Sequence, residues 1–164
     1  MTHDYDDARD GHEDNLLATS WGHFVRVCRM LARQKRKPEF TGGLEAAILS
    51  SIHARFLYTL RPKSLYFAYD TSNDREPLFE AGKLLQRVGF TGSSHVLRAY
   101  VLIGYPGDTF EAAETRLNDT LKAGFLPMAM IYRDEESYLN PDWVRFRRRW
   151  FSPQTIYRRE KELR

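Results

Sequence analysis

Four apolar stretches of the chain each end in glycine or polar residues that could bind a ligand. The second stretch ends at Asp70, whose carboxylate could accept hydrogen bonds from a vicinal diol such as ribose, although an Asp there could equally cap a turn. The third ends in Gly104–Thr109, where two glycines flank a proline and keep side chains away from the strand tip. These residues favour a ligand with a flat ring and a diol, with a purely structural turn as the alternative for each.

The first and fourth stretches end in residues suited to an anion. Gly42 and Gly43 permit a tight turn into a helix, whose free N-terminal amides favour a carboxylate or phosphate, and a plain strand-to-helix turn is the alternative. Arg133 could bind a carboxylate or phosphate through both guanidinium nitrogens, or could pair with the acidic residues 134–136. The sequence leaves both pairs of alternatives open.

A repeating order of strands and helices is needed to bring these residues together. The ends of the apolar stretches lie about 28 to 34 residues apart, the length of a strand, a crossover helix and their loops. This spacing predicts an α/β fold with a parallel four-stranded sheet, whose carboxyl ends hold the ligand. Four parallel strands cannot close a barrel, so we expect both edges of the sheet to stay open. The predicted strands are Glu39–Thr41, Ser64–Tyr69, Leu97–Ile103 and Met128–Tyr132.

Helix boundaries and faces follow from caps and apolar spacing. The pattern predicts a helix from Leu44 to about residue 60, with Ile48, Leu49, Ile52, Phe56 and Leu57 on its buried face. Another helix is predicted to start at Asp108, which would cap it while Glu111 returns a bond to the Asp108 amide. These boundaries determine which polar side chains remain free for a ligand.

Charge is concentrated at the two ends of the 164-residue chain. Residues 1–14 carry six carboxylates and one Arg, whereas residues 144–164 carry eight cations and two carboxylates, within a net charge of +3. We expect residues 1–13 to be an acidic disordered leader and residues 135–164 a helical basic tail. The leader has no apolar core of a signal peptide, and the sequence has no apolar run long enough for a membrane span, so a cytoplasmic protein is expected.

The basic tail mixes arginines with aromatic residues, as a nucleic-acid-binding surface could. However, Trp143, Phe146 and Trp150 are spaced as one helical stripe, which favours an amphipathic C-terminal helix that packs its aromatics inward. Nucleic acid is therefore the less favoured partner.

Several common sites are missing from the sequence. The five histidines form no i, i+4 pair, and no nucleophile elbow, P-loop or complete G-x-G-x-x-G is present. The sequence thus predicts no metal site and argues against a hydrolase, an NTPase and a dinucleotide-binding dehydrogenase.

Taken in order, four segments resemble the radical SAM superfamily, whose members cleave S-adenosylmethionine on a [4Fe-4S] cluster inside a partial (β/α)6 barrel. The similarity spans about residues 14–134, and its segments are Phe40–Ala46, Tyr66–Asp70, Arg98–Thr109 and Pro127–Arg133. The resemblance implies that the four-stranded sheet is a partial (β/α) barrel with open edges and that the domain binds S-adenosylmethionine.

The resemblance also implies roles for single residues. Asp70 lies where the family contacts the ribose, and the remaining implied contacts surround adenine, the methionyl group or the substrate. The implied cofactor-binding residues are Gly42, Gly43, Asp70, Leu102, Gly104, Ile131 and Tyr132, and the implied substrate-binding residues are Glu45 and Arg133.

One departure from the family limits the function that is expected. The C-x-x-x-C-x-x-C loop that ligates the cluster is missing, and Cys28, the single cysteine, falls on a helical stripe. We therefore expect a truncated barrel that keeps the S-adenosylmethionine strands, ligates no [4Fe-4S] cluster, has no catalytic residue and is inactive alone. The alternatives are a non-catalytic scaffold that pairs its open sheet edge with a second chain or with itself, and a nucleic-acid-binding module that uses the basic tail.

Overall fold

The computed structural model describes residues 15–133 and 139–163. The predicted leader, residues 1–13, lies outside these ranges, as do the first four residues of the predicted tail. Within the described residues, no helix has the length and apolarity that crossing a bilayer requires.

A single four-stranded sheet forms the centre of the fold. The strands are parallel and lie side by side in chain order, which confirms the predicted α/β class with a parallel four-stranded sheet. Three bounds differ from the prediction: the first strand continues to Leu44, and the fourth begins at Leu126 and ends at Ile131. The strands are β1 (Glu39–Leu44), β2 (Ser64–Tyr69), β3 (Leu97–Ile103) and β4 (Leu126–Ile131).

Helices precede, connect and follow the strands. They are α1 (Trp21–Ala32), α2 (Ser51–Thr59), α3 (Arg75–Val88), α4 (Phe110–Lys122), α5 (Pro141–Trp150) and α6 (Pro153–Glu162). The described residues after β4 therefore form two helices, where one was expected. The aromatic residues Trp143, Phe146 and Trp150 of α5 are buried, whereas no side chain of α6 is.

The predicted helix from Leu44 to about residue 60 is confirmed from Ser51 onward and is wrong before it. A 3-10 helix, Ala46–Ile48, follows β1, and α2 begins only at Ser51, after an extended break. This break resets the helical phase, so Ile48 and Ile52 do not share a buried face. Their exposed fractions are 37% and 49%.

Helices pack on one face of the sheet and leave the other face partly exposed. Side chains alternate along a strand, and in β3 every second residue from Leu97 to Ile103 is buried against the helices. The alternate residues Arg98, Tyr100 and Leu102 are only half-buried. The sheet thus has one helix-covered face and one open face among the described residues.

Candidate functional site

The strand register brings five of the predicted site residues to the carboxyl edge of the sheet. Asp70 follows Tyr69, which pairs with Val101, and therefore lies next to Leu102 across the strands. Ile103 pairs with Ile131, and the Tyr132 amide donates to the Ile103 carbonyl at 2.8 Å, which places Tyr132 beside Gly104. The residues gathered at this edge are Asp70, Leu102, Gly104, Ile131 and Tyr132.

Asp70 is not the residue that caps the turn after β2. Oδ2 of Asp74 accepts hydrogen bonds from the amides of Asp70 (3.0 Å) and Thr71 (2.7 Å) and from the Thr71 hydroxyl (3.1 Å). The Asp70 carboxylate makes no hydrogen bond or ion pair with any residue in the described ranges. Partial burial, and secondarily the Asp74 charge, raise the pKa of Asp70. Asp70 is exposed, and its carboxylate has unused hydrogen-bonding capacity.

The loop after β3 is held by an ion pair that the sequence did not indicate. Asp108 Oδ2 accepts from the Gly104 amide and from Arg116 Nη2, both at 2.7 Å, and the same Arg116 nitrogen donates to the Leu102 carbonyl at 3.0 Å. The Asp108 side chain is fully buried, and that of Arg116 is 9% exposed. This network fixes the backbone around Leu102 and Gly104.

The predicted cap of α4 by Asp108 is therefore wrong. Thr109 is the cap, since its hydroxyl accepts from the Ala112 amide at 3.1 Å. Arg116 was missed, although a charged residue between Ala113 and Leu117 on the buried stripe of α4 was a signal in the sequence. Such a residue needs a buried partner, and Asp108, eight positions earlier, provides it.

The close approach of Trp143 requires a glycine at position 104. Its φ is +75°, and a Cβ built there would lie 2.8 Å from Cγ of Trp143 in α5. The flat group on this side of the strand tip is thus the Trp143 indole. Gly104 remains half-buried, so part of its backbone surface stays accessible.

Gly42 and Gly43 do not begin a helix. Gly43 has φ +77° and lies in an irregular stretch of β1, whose register shifts between Phe40 and Leu44. Because α2 starts only at Ser51, the amides of an α-helix N-terminus are not present at this turn. The predicted helix N-terminus for an anion at these glycines is therefore wrong, although Gly42 itself is exposed.

The two predicted substrate residues have different surroundings. Glu45 is exposed and held by Asn15, whose Nδ2 donates to Glu45 Oε2 at 3.0 Å while its Oδ1 accepts from the Glu45 amide at 3.3 Å. Arg133 is exposed beyond β4. Its alternative partners at 134–136 lie outside the described residues.

Polar aromatic residues on the open face lie below this edge and were not predicted. The rings of Tyr66 and Tyr100 stack at 4.7 Å, and Arg98 Nη1 donates to the Tyr66 hydroxyl at 2.8 Å. The Tyr100 hydroxyl donates to the Thr41 carbonyl at 3.3 Å, and burial raises the pKa of Tyr100. The sequence signal for these residues was their alternation with apolar residues along β2 and β3, which places them together on one face.

The described residues do not fit an iron–sulfur cluster. Cys28 is 2% exposed in the core, and burial raises its pKa to about 11. Over residues 15–133 and 139–163, no group of three or more His, Cys, Asp or Glu side chains is placed to hold a metal ion. The single thiol of the chain is therefore protonated and directed into the core.

Two surface depressions are lined by residues of the helices. One is lined by α2 and α3 residues, including Arg55, Tyr58 and Arg87. The other lies between Phe110 and Arg149 of α4 and α5. Neither contains a predicted site residue.

These features define an α/β protein with an all-parallel four-stranded sheet and a candidate ligand site at its carboxyl edge. Comparison of the chain with family models, curated proteins and solved structures gave no match.

Proposed function

We propose that this chain is part of a radical SAM-type (β/α) barrel and that it binds the nucleoside portion of S-adenosylmethionine at the carboxyl edge of the sheet. Two observations support the proposal. The strands lie in chain order, as neighbours in such a barrel do, and one face of the sheet is left uncovered as a barrel interior would be.

The unpaired carboxylate of Asp70 carries this proposal. The carboxylate lies exposed at a strand end and makes no hydrogen bond or ion pair within the described residues, so it is available to a ligand. A ribose offers two neighbouring hydroxyl donors, which a carboxylate can accept together. The turn needs no further acceptor, because Asp74 already serves the local amides.

The neighbouring residues complete the proposed contact. Leu102 lies beside Asp70 on the open face and offers an apolar surface to adenine, while the strand backbone at Ile131 and Tyr132 borders it. The Asp108–Arg116 pair keeps the Leu102 and Gly104 backbone in place. S-adenosylmethionine would supply an activated sulfonium when bound, and within the described residues no group of three or more His, Cys, Asp or Glu side chains is placed to hold iron.

Calorimetry with S-adenosylhomocysteine tests the binding site. We expect D70N to weaken binding about tenfold or more, because hydrogen bonds to a charged acceptor contribute about 1.5–3 kcal/mol. The matched control is D142N, which removes the same charge from an exposed position on α5, paired with Arg145. In competition, adenosine should displace the ligand better than 2′-deoxyadenosine from the wild type, and equally well from D70N.

Two outcomes would refute the ribose assignment. One is equal binding by D70N and the wild type, and the other is the absence of heat with millimolar ligand. Catalysis has a separate test, in which the chain is reconstituted anaerobically with iron and sulfide and given reductant. We expect no 5′-deoxyadenosine, and its clear formation would overturn the claim that the chain alone is inactive.

A second candidate function is a scaffold that pairs its sheet edge with another copy or another chain. It is favoured by β1, which has one described strand neighbour, β2, and by Met130 on the open face, which is 48% exposed. Light scattering after size exclusion is expected to show association that increases with concentration. A folded monomer at every concentration would count against self-pairing.

A further inference from the structure

The first helix and the turn after it form the most cationic surface that the structure describes. Residues 16–38 contain no Asp or Glu and six cations, all of them exposed. None of the six has an ion pair or a cation–π contact with a described residue. We call this set the α1 basic surface, and it consists of Arg26, Arg29, Arg33, Lys35, Arg36 and Lys37.

Most cations of the C-terminal helices, by contrast, make ion pairs or cation–π contacts within the fold. Arg145 pairs with Asp142, Arg158 with Glu162 and Arg159 with Glu114. Others lie over aromatic rings nearby in the chain: Arg147 over Phe151, Arg149 over Phe146 and Lys161 over Tyr157. The tail, which the sequence offered as a nucleic-acid surface, thus uses most of its described cations within the fold.

The free cations of α1 are arranged in a row. Arg26, Arg29 and Arg33 are spaced i, i+3, i+7 and lie opposite the buried stripe of Phe24, Cys28 and Leu31. The helical rise separates the first and last of them by about 10 Å along the axis. Three guanidinium groups over this length, continued by the turn 35–37, match an extended polyanion better than a single small anion.

An exposed aromatic ring lies on the same helix. Trp21 is 45% exposed, whereas Trp143 and Trp150 are buried. The Trp21 ring is held by Phe24, stacked at 5.5 Å, and by Phe56, edge-on at 5.4 Å. An indole that is held in place and partly exposed is a stacking platform for a nucleobase.

We infer that the α1 basic surface, with Trp21, binds single-stranded nucleic acid through its phosphates and one stacked base. A bilayer fits less well, because the apolar stripe of α1 is already used by the core and cannot insert. This inference is independent of the proposed function, since it uses no residue of the carboxyl edge.

The test compares two triple variants of the full chain with a fluorescent 20-nucleotide single strand. The first is R26Q/R29Q/R33Q, and the matched control is R145Q/R148Q/R149Q, which removes three exposed charges from another helix. We expect the α1 variant to lose about tenfold or more in affinity at low salt. Its salt slope should fall by about 2, since each phosphate contact on a single strand contributes about 0.7.

Two further measurements support the assignment. K35Q/R36Q/K37Q alters the turn instead of the helix and should weaken binding in the same direction, which keeps the test valid if the first variant unfolds. Addition of the strand should quench the emission of Trp21, and W21F should abolish this quenching, because the other two tryptophans are buried.

Other results would overturn the inference. Equal losses in the α1 variant and the α5 control would indicate attraction by net charge alone. Tighter binding to phosphatidylserine vesicles or to polyglutamate, with the same dependence on Arg26, Arg29 and Arg33, would assign the surface to a membrane or an acidic protein. No binding of the strand at 50 mM salt would remove the proposed site altogether.

Discussion

Asp108 and Arg116 form a buried ion pair 2.7 Å long that connects the loop after β3 to the middle of α4. Each partner also bonds to the backbone of the strand end, Asp108 to the Gly104 amide and Arg116 to the Leu102 carbonyl. Since Leu102 and Gly104 belong to the candidate site, the shape of that site depends on a side-chain pair that does not itself face the ligand.

Removal of one member of this pair should be costly. We expect R116M to destabilise the fold by about 3–5 kcal/mol, because it leaves the Asp108 carboxylate buried without its cation. Urea unfolding measures the loss. The control is R145M, which breaks the exposed pair with Asp142 and should change stability by less than about 1 kcal/mol. Equal effects of the two variants would contradict the structural role of Arg116.

Adding a methyl group at Gly104 should lower the free energy of unfolding more than adding one at Gly107. Both glycines have positive φ, +75° and +85°, so either Ala substitution costs about 1–2 kcal/mol in backbone strain. Only at Gly104 does the new Cβ meet Trp143, at 2.8 Å, whereas at Gly107 it meets open space. We expect G104A to cost about 1–3 kcal/mol more than G107A in urea unfolding, and equal losses would argue against the Trp143 contact.

Asp70 and Glu39 should show opposite pH dependence. The pKa of Asp70 is raised in the folded chain, so its charge destabilises the fold above that pKa. We therefore expect D70N to stabilise the protein at pH 7, with the gain vanishing as the pH falls below the ordinary Asp value.

Glu39 provides the comparison of opposite sign. Its hydrogen bond from Lys63 lowers its pKa, so its charge stabilises the fold above the ordinary Glu value. E39Q should destabilise the protein at pH 7, and the loss should fade as the pH falls through the lowered pKa. Urea unfolding at several pH values measures both variants, and a destabilised D70N at pH 7 would contradict the assignment of an uncompensated carboxylate.

The Cys28 thiol should be unreactive in the native protein. Burial raises its pKa to about 11, so little thiolate is present at pH 8, and its exposed fraction is 2%. We expect no rapid reaction with a disulfide reagent in buffer and one rapidly reacting equivalent in concentrated urea. Rapid labelling of the native chain would show that Cys28 is accessible and reopen its availability as a ligand.

The sequence alone was sufficient for the strands and their parallel arrangement. Apolar runs such as Ser64–Tyr69, repeated with helical patterns between them, restrict the chain to few arrangements, because each element must bury its apolar face. The same reasoning placed Asp70 and Gly104 at the ends of strands. The positions of the strands and of the residues at their ends are local properties of the chain, and apolar periodicity and the conformational preferences of glycine predict them.

Only the tertiary structure decided what each polar residue does. Asp70 and Asp74 are four positions apart and have the same side chain. In the fold, two amides and the Thr71 hydroxyl donate to the Asp74 carboxylate, whereas the Asp70 carboxylate accepts no hydrogen bond from the described residues. Gly104 is explained by Trp143, a contact across 39 positions of sequence. Hydrogen bonds and steric contacts depend on distances of a few tenths of an ångström between elements, and the order of residue types does not encode those distances directly.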